Sequence, residues 1–243
     1  MRRRPIPALR GRRRAAAVAG SIALGVVLAL AGCSGGDPAT PKQSPTEQLT
    51  AAKQAFDAAK TVQLDLSSRD VPPRENGVTA AKGAGVISAT EPAFKGTITG
   101  TIKGLGGTID VIAIGETAYL KFFTPDYKKT DLKTLNAPNP ALFFDPATGI
   151  SALLPQTANP KDDGQTRSGQ EVLTKISGTL PGATIEKLFH LGDGTGTFAA
   201  SYGITDSDQL RTATLKGPFF PGVEATYVVL LTNYGAPVEI TRP

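Results

Sequence analysis

The side chains that carry most enzyme and metal chemistry are nearly missing from this 243-residue chain. Cys33 is the only cysteine, His190 the only histidine and Met1 the only methionine, and there is no tryptophan. With one cysteine the monomer can form no disulfide, so the hydrophobic core alone must hold the fold. With one histidine there is no cluster of nitrogen and sulfur ligands, which excludes an ordinary zinc site.

Catalytic motifs are also missing. Within residues 44–243, no serine lies in a Gly-x-Ser-x-Gly or Ser-x-x-Lys pattern, and the nearest phrase, around Ser151, lacks the second glycine. The glycine-rich segments 104–107 and 192–196 lack the strand-to-helix spacing of a phosphate loop and predict hairpin turns. We interpret segment 206–208 (Asp-Ser-Asp) as a solvated turn in preference to a calcium site, and His190 as a helix residue at a sheet edge. The sequence therefore predicts a protein that is not an enzyme and holds neither a metal nor another cofactor.

The N-terminus has the pattern of an export signal. Residues 1–14 carry seven arginines and no acidic residue, and residues 15–31 are almost wholly apolar. This apolar stretch is at the short edge for a membrane-spanning helix, so the pattern predicts a signal peptide. It ends in Leu30-Ala31-Gly32-Cys33, which resembles the lipobox of bacterial lipoproteins. That resemblance implies that the Cys33 thiol receives a diacylglyceryl group and becomes the first residue; the alternative is an ordinary signal peptide with a free cysteine.

Lipidation and cleavage change both the location and the charge of the chain. Two acyl chains at Cys33 would anchor the mature protein on the extracytoplasmic face of the cell membrane. Removing residues 1–32 leaves 19 basic and 21 acidic residues, a net charge of −2 in place of +5. The basic character of the chain therefore belongs to the signal, and nothing in the mature chain predicts a nucleic-acid partner.

The mature chain divides into a tether and one domain. Residues 33–43 comprise the lipidated cysteine and a flexible tether rich in Ser, Gly, Pro and Thr. Residues 44–243 have the length of a single domain. That domain opens with a helix to about Lys60, because Ser44 and Glu47 match a capping box and apolar residues then recur at helical spacing.

Most of the remaining domain is predicted to be strand, because apolar and polar residues alternate. The alternating segments are 62–68, 93–104, 106–116, 117–123, 170–180, 196–204, 209–217, 223–233 and 237–243. Within 106–116, Val111 and Ala113 fall on one face while Ile112 and Ile114 fall on the other. Short spacing and alternation predict an antiparallel sheet of about eight to ten strands.

Segments 138–156 and 181–191 break this alternation, and their proline and apolar spacing predicts short helices. With the first helix they can cover the apolar face of the sheet. Gly96 and Gly100 inside one strand predict a bend or a close approach. We therefore expect an α+β fold in which a single antiparallel sheet, curved into a half-barrel, is covered by helices and encloses a hydrophobic cavity.

The mature chain resembles a family of mycobacterial lipoproteins that comprises LppX, LprA, LprF and LprG, and LprG most of all. The lipobox, the capped helix and the succession of strands carry the likeness, together with three phrases. These are Asp-Pro-x-Thr-Gly at 145–149, Gly-Gln followed by Ile-Ser-Gly at 169–178, and the closing segment 234–243. The resemblance implies a half-barrel similar to the LolA and LolB carriers, with a hydrophobic cavity for acyl chains.

By the same resemblance, residues from the central strands and the helical segments line that cavity. The expected lining residues are Val62, Leu64, Leu66, Ile98, Ile102, Ile109, Val111, Ala113, Leu142, Phe143, Leu153, Leu154, Leu188, Tyr227 and Val229. Gly100 departs from the pattern, because it stands where a β-branched residue is expected, and this leaves the strand register open.

The first hypothesis for function is a lipid carrier anchored through Cys33. The resemblance implies cargo such as triacylated phosphatidylinositol mannosides, lipoarabinomannan or triacylglycerol, carried from the plasma membrane toward the outer envelope. LppX-like members are tied to phthiocerol dimycocerosate, and LprG-like members to a major-facilitator transporter as partner. The alternative is a surface-anchored interaction or scaffold lipoprotein with a filled core and no lipid cargo. An enzyme is the third hypothesis and would need a polar cluster in the cavity.

Overall fold

The computed structural model describes residues 43–122 and 124–243. Cys33, the predicted signal at 1–32 and nearly all of the predicted tether at 33–43 lie outside the described residues. No helix within the described ranges is long and apolar enough to cross a membrane.

A single antiparallel sheet of 11 strands dominates the described part of the chain. Its strands are β1 (Thr61–Arg69), β2 (Gly77–Val86), β3 (Ala93–Ile102), β4 (Leu105–Ile114), β5 (Thr117–Lys121), β6 (Lys128–Thr130), β7 (Ala158–Ser168), β8 (Glu171–Pro181), β9 (Thr197–Ile204), β10 (Leu210–Phe220) and β11 (Val223–Thr232). Their order across the sheet is β6-β5-β4-β3-β2-β1-β11-β10-β9-β8-β7. The sheet therefore consists of two meanders that meet where the first strand pairs with the last.

In the part of the chain that the structure describes, three helices accompany the sheet: α1 (Pro45–Ala58), α2 (Ile150–Leu153) and α3 (Gly182–Phe189). Short 3₁₀ turns at Leu132–Leu135, Pro140–Phe144 and Leu154–Gln156 flank α2 in the connection between β6 and β7. The predicted fold class, a single antiparallel sheet covered by helices, is confirmed. The predicted helical segments 138–156 and 181–191 are confirmed as well.

Helix α1 begins as its sequence predicts. The Ser44 hydroxyl accepts a hydrogen bond from the Glu47 N–H at 3.3 Å, and the Glu47 carboxylate accepts from the Ser44 N–H at 2.8 Å. This capping box satisfies two helix-terminal donors that would otherwise lack partners. Leu49 and Phe56 on one side of the helix are fully buried.

The helices lie on one face of the sheet and share its main hydrophobic core. Helix α1 packs against α2, the turn that follows it, and strands β7 and β10, while α3 packs against β8 and β9. A polar link also fixes α1 to the segment before α2. The buried Ser151 hydroxyl donates to the Asp57 carboxylate at 2.6 Å, and the Lys53 ammonium donates to the Pro146 carbonyl at 2.6 Å. These helices therefore form a fixed cover over the sheet.

The alternation in β4 matches its two environments. Val111 and Ala113 belong to the main core under the helices, whereas Ile112 and Ile114 belong to a small cluster on the opposite face. Ile240 from the C-terminal tail packs against that small cluster. The apolar residues on both faces of β4 are therefore explained by cover on both sides.

The predicted strand at 237–243 is wrong, because the structure has no strand there. Residues 236, 238 and 240 are half-buried and their neighbours exposed, so the alternation reflects one packed face. Thr61 fixes the start of this tail, since its carbonyl accepts from the Gly235 N–H at 2.9 Å and its hydroxyl donates to the Ala236 carbonyl at 2.7 Å. The tail leaves the centre of the sheet, where β1 and β11 already pair on both sides, and it therefore has no free strand edge to join.

Three strands lie outside the segments that alternation identified, namely β2, β6 and β7, so the expected eight to ten strands are too few. Strand β2 consists largely of small residues, and β6 is only three residues long. Strand β7 is a polar edge strand with two register irregularities and a proline at position 160. Polar and irregular edge strands show little apolar alternation, which explains the omission.

The turns β1–β2, β3–β4 and β10–β11 lie at the same end of the sheet, because neighbouring strands run in opposite directions and β1 pairs with β11. The β3–β4 turn is tight, with Ile102 opposite Leu105. Lys103 and Gly104 between them both have positive φ, of 51° and 78°. Of the hairpin turn predicted at 104–107, only Gly104 lies in the turn, because β4 already begins at Leu105. The hairpin predicted at 192–196 is wrong, because that segment connects α3 to β9.

Candidate functional site

A pocket of about 830 Å³ lies against the helix-covered face of the sheet. Strands β1 to β5 and β9 to β11 form one wall, and the helical segments between β6 and β7, together with the end of α3, form the other. Its lining is mainly aliphatic and aromatic, and most of the polar residues that border it are exposed. The volume is near the upper end of the roughly 300–1,000 Å³ typical of ligand pockets.

Most of the expected cavity residues border this pocket. They are Leu64, Leu66, Ile98, Ile102, Ile109, Val111, Phe143, Leu153, Leu154, Tyr227 and Val229. The strand register explains why they come together, since Leu66 lies opposite Val229 and Ile98 lies opposite Ile109. Side chains of directly opposed residues project to the same face of a sheet.

The other four expected residues do not border the pocket. Val62, Ala113 and Leu188 are buried in the packed core, and Leu142 is half-buried outside the lining. Val62 and Ala113 lie toward the end of the sheet away from the β3–β4 turn, as their register positions in β1 and β4 show. Alternation indicates which face a residue takes, but it does not indicate how far along the strand the pocket extends.

Aromatic side chains form much of the wall, and the sequence interpretation missed most of them. Phe94 and Phe144 stack with ring centroids 6.0 Å apart and planes 8° from parallel. Phe219 meets the Tyr227 ring edge-on at 4.7 Å, and Phe189 lies 6.2 Å from Phe219. Alternation in β3 already places Phe94 on the face of Ile98, so that residue was detectable. Tyr227 was among the expected lining residues, whereas Phe144, Phe189 and Phe219 come from distant segments and were not expected.

Glycines in the strands make room for these rings. A Cβ atom on Gly85 would lie 2.2 Å from the Phe144 ring, so the ring rests directly on the β2 backbone. Gly100 lies opposite Gly107 and borders the pocket. This pairing settles the strand register that Gly100 left open. A Cβ atom built on Gly100 would lie 2.3 Å from the Gly77 carbonyl oxygen, which fits the predicted role of Gly100 as a point of close approach.

Two tyrosines place hydroxyl groups in the buried wall. The Tyr202 hydroxyl lies 2.9 Å from the Thr157 hydroxyl, with which it shares a hydrogen bond. The Tyr227 hydroxyl is buried and has no hydrogen-bond partner among the described residues. Burial raises the pKa of both Tyr202 and Tyr227 to about 12, so both side chains are neutral at pH 7.

The mouth of the pocket lies at the end of the sheet that carries the β1–β2, β3–β4 and β10–β11 turns. Residues that border the pocket and are also exposed define it: Arg74, Glu75, Lys103, Gly104, Leu105, Asn136, His190, Gly192 and Pro221. The Lys103 N–H donates to the Asn76 side chain at 2.6 Å, which joins the β1–β2 and β3–β4 turns. The pocket thus has an apolar interior and a polar rim at one end.

His190 lies on this rim. It ends α3 in a left-handed conformation, with φ of 53°, and its N–H donates to the Glu186 carbonyl at 2.8 Å. His190 was interpreted as a helix residue at a sheet edge, but it lies one residue beyond α3 and at the end of the strands. Within the ranges the structure describes, no three side chains of the His, Cys, Asp and Glu types group as metal ligands.

Comparison with known proteins identifies the relatives of this chain. A model of the LppX_LprAFG lipoprotein family matches residues 44–240. LprF of Mycobacterium bovis and LprF of Mycobacterium tuberculosis, named as candidate diacylated glycolipid transporters, are each 28% identical over 109 residues. That match covers 43% of this chain and 42% of the relative, so it spans less than half the length of either protein.

Two solved structures share the fold. The crystal structure of LprF from Mycobacterium bovis superposes with a TM-score of 0.70 at 18% identity, covering 82% of this chain and 96% of that one. The crystal structure of the Mycobacterium tuberculosis lipoprotein LppX gives a TM-score of 0.60 at 16% identity, covering 81% and 98%. The greater likeness to LprG stays a prediction.

Proposed function

Because this chain belongs to the LppX_LprAFG lipoprotein family, we propose that it binds acylated lipid in its pocket and carries that lipid outside the cell membrane. The observation that carries the proposal is the pocket itself, with its volume of about 830 Å³ and apolar walls built from both halves of the sheet. The name of the relative LprF, which refers to diacylated glycolipid transport, supports the same class of cargo.

The binding needs no covalent step. Each methylene group that leaves water contributes about 0.8 kcal/mol, so even part of one acyl chain supplies a large favourable term. Part of that gain offsets the loss of freedom on association and the ordering of the chain. The exposed polar and charged side chains at the mouth, among them Arg74, Lys103 and Asn136, leave a polar headgroup in contact with water. An acylated glycolipid with two or three chains, such as a triacylated phosphatidylinositol mannoside or lipoarabinomannan, fits this division, and triacylglycerol fits the apolar interior.

Cys33 completes the proposed mechanism as the lipidated anchor on the extracytoplasmic face. Anchoring would keep the domain next to the membrane from which it takes lipid. A major-facilitator transporter as partner, and movement of cargo toward the outer envelope, belong to the same proposal.

The test replaces one residue on each face of β3. Ile98 is half-buried and borders the pocket, whereas its neighbour Thr97 is exposed on the opposite face. We expect Ile98→Trp to fill part of the pocket and to reduce the lipid that copurifies severalfold, as measured by native mass spectrometry of domain expressed in a mycolate-bearing host. Thr97→Trp, the matched control, should carry as much lipid as the wild type.

Two outcomes would contradict the proposal. If folded Ile98→Trp carries as much lipid as Thr97→Trp, the pocket is not the binding site. If the wild-type domain carries no lipid, the scaffold hypothesis replaces the carrier.

A further inference from the structure

The β3–β4 turn exposes a large apolar side chain at the mouth of the pocket. Leu105 is 68% exposed, compared with 37% for Leu230 and 36% for Val172, the other large exposed apolar residues in the described ranges. Leu105 also borders the pocket, so it lies where the interior meets solvent.

The turn geometry does not require a leucine at this position. The tight two-residue turn needs positive φ only at Lys103 and Gly104. No atom lies within 4 Å of a Cβ built on Gly104, so this side of the turn faces open space. The hairpin thus holds an apolar side chain in water beside the opening of an apolar pocket.

Positive charge accompanies Leu105. Lys103 and Arg74 are both exposed at the mouth, and neither forms an ion pair with a described residue, whereas Lys82, Lys121 and Lys216 elsewhere on the sheet do. The bond from the Lys103 N–H to Asn76 holds the two turns together. The one acidic residue among the described residues of the mouth is Glu75. This basic spot contrasts with the net charge of −2 for residues 33–243.

We propose that Leu105, flanked by Lys103 and Arg74, docks the pocket mouth onto the surface of a bilayer that contains anionic lipid. This inference rests on the proposed lipid-binding function, and it adds how cargo enters and leaves. An acyl chain that moves through water exposes every methylene group on the way, so a carrier whose mouth touches the bilayer lowers that barrier. An apolar side chain among basic residues is the usual composition of a membrane-surface contact.

The size of the patch favours a membrane over a protein partner. A stable protein interface buries about 800 Å² on each side, far more than one leucine and two basic side chains supply. The same small patch suffices for brief contact with a lipid surface, and brief contact is what a carrier needs in order to leave again. The charge of Lys103 and Arg74 is complementary to anionic headgroups.

The first arm of the test measures docking without cargo. The domain is floated with vesicles of mixed phosphatidylglycerol and phosphatidylcholine, and with vesicles of phosphatidylcholine alone. We expect Leu105→Ser to weaken binding to the mixed vesicles by about tenfold. The double variant Arg74→Gln with Lys103→Gln should bind the mixed vesicles about fivefold more weakly for each charge removed, and its binding should no longer depend on salt. Leu230→Ser, an exposed leucine that does not border the pocket, is the matched control and should bind as the wild type does.

The second arm measures the rate at which a fluorescent diacyl phospholipid passes from the mixed vesicles to the domain. We expect Leu105→Ser to slow transfer about tenfold while the final occupancy stays within about twofold of wild type. If wild type takes up lipid and Leu105→Ser matches it in rate and in flotation, the docking inference is wrong. If wild type takes up no lipid while Leu105→Ser still weakens flotation, the pocket function fails and docking stands.

Discussion

Three tyrosines, of which Tyr202 and Tyr227 are buried and Tyr234 is half-buried, differ in whether their hydroxyl groups have a hydrogen-bond partner. The Tyr202 hydroxyl pairs with Thr157, and the Tyr234 hydroxyl donates to the Leu210 carbonyl. The Tyr227 hydroxyl has no such partner among the described residues, although its ring packs against Phe219. An unpaired buried polar group costs about 1–3 kcal/mol, so Tyr227 is a weak point in an otherwise well-paired wall.

We expect Tyr227→Phe to raise the free energy of unfolding of the lipid-free domain by about 1 kcal/mol, because it removes a hydroxyl without a partner and leaves the ring. Tyr202→Phe is the control and should lower the free energy of unfolding by a similar amount, since it removes the buried hydrogen bond between the Tyr202 and Thr157 hydroxyls and leaves Thr157 only its bond to the Leu153 carbonyl. Urea unfolding of the two variants beside wild type measures both changes. A loss of stability in Tyr227→Phe would show that its hydroxyl has a partner.

At the scale of elements, helix α1 was predictable because its signals are local. The capping residues and the apolar spacing are close in sequence, and the helix ends at Ala58, two residues before the expected Lys60. Lys60 itself has a φ of 66°, a left-handed value that ends a helix. The polar edge strand β7 and the C-terminal tail were mispredicted because their conformation depends on what lies beside them in the fold.

The C-terminal tail behaves as a strap over the outer face of the sheet. Ile240 packs against Ala93, Ile112 and Ile114, and Arg242 forms an exposed ion pair with Glu91. The strap covers apolar residues that the helices on the other face cannot reach.

We expect Ile240→Ala to lower the free energy of unfolding by about 1 kcal/mol, because a half-buried aliphatic contact is lost. Arg242→Ala should change it by less, about 0–1 kcal/mol, since both partners of that ion pair are more than half exposed. Chemical denaturation of the two variants measures the difference. Equal effects would mean that the apolar contact does not hold the tail.

At the scale of the whole molecule, the sequence indicated the fold class but could not give the composition of the pocket. Residues such as Leu66 and Val229, far apart in the chain, meet only because β1 pairs with β11. Tyr202, Leu215 and Phe219 reach the same pocket from the second meander. No local pattern encodes this pairing, so the alternation showed which residues of a predicted strand share a face, whereas the strand register and the neighbours across the pocket were not predictable.

A pocket kept open in the interior lowers stability, because its lining forgoes contacts that a filled core would make. We therefore expect Ile98→Trp, which places a ring in that space, to raise the melting temperature of the delipidated domain by about 2–4 °C. Added lipid should raise the melting temperature of wild type, since a ligand present at about a hundred times its Kd stabilises by about 2.7 kcal/mol. Added lipid should leave the melting temperature of Ile98→Trp nearly unchanged. Differential scanning calorimetry of wild type and Ile98→Trp, each with and without lipid, measures these melting temperatures. Overpacking a filled core lowers the free energy of unfolding by about 1–3 kcal/mol. If Ile98→Trp has that effect instead, the space beside Ile98 is already filled and the carrier proposal is wrong.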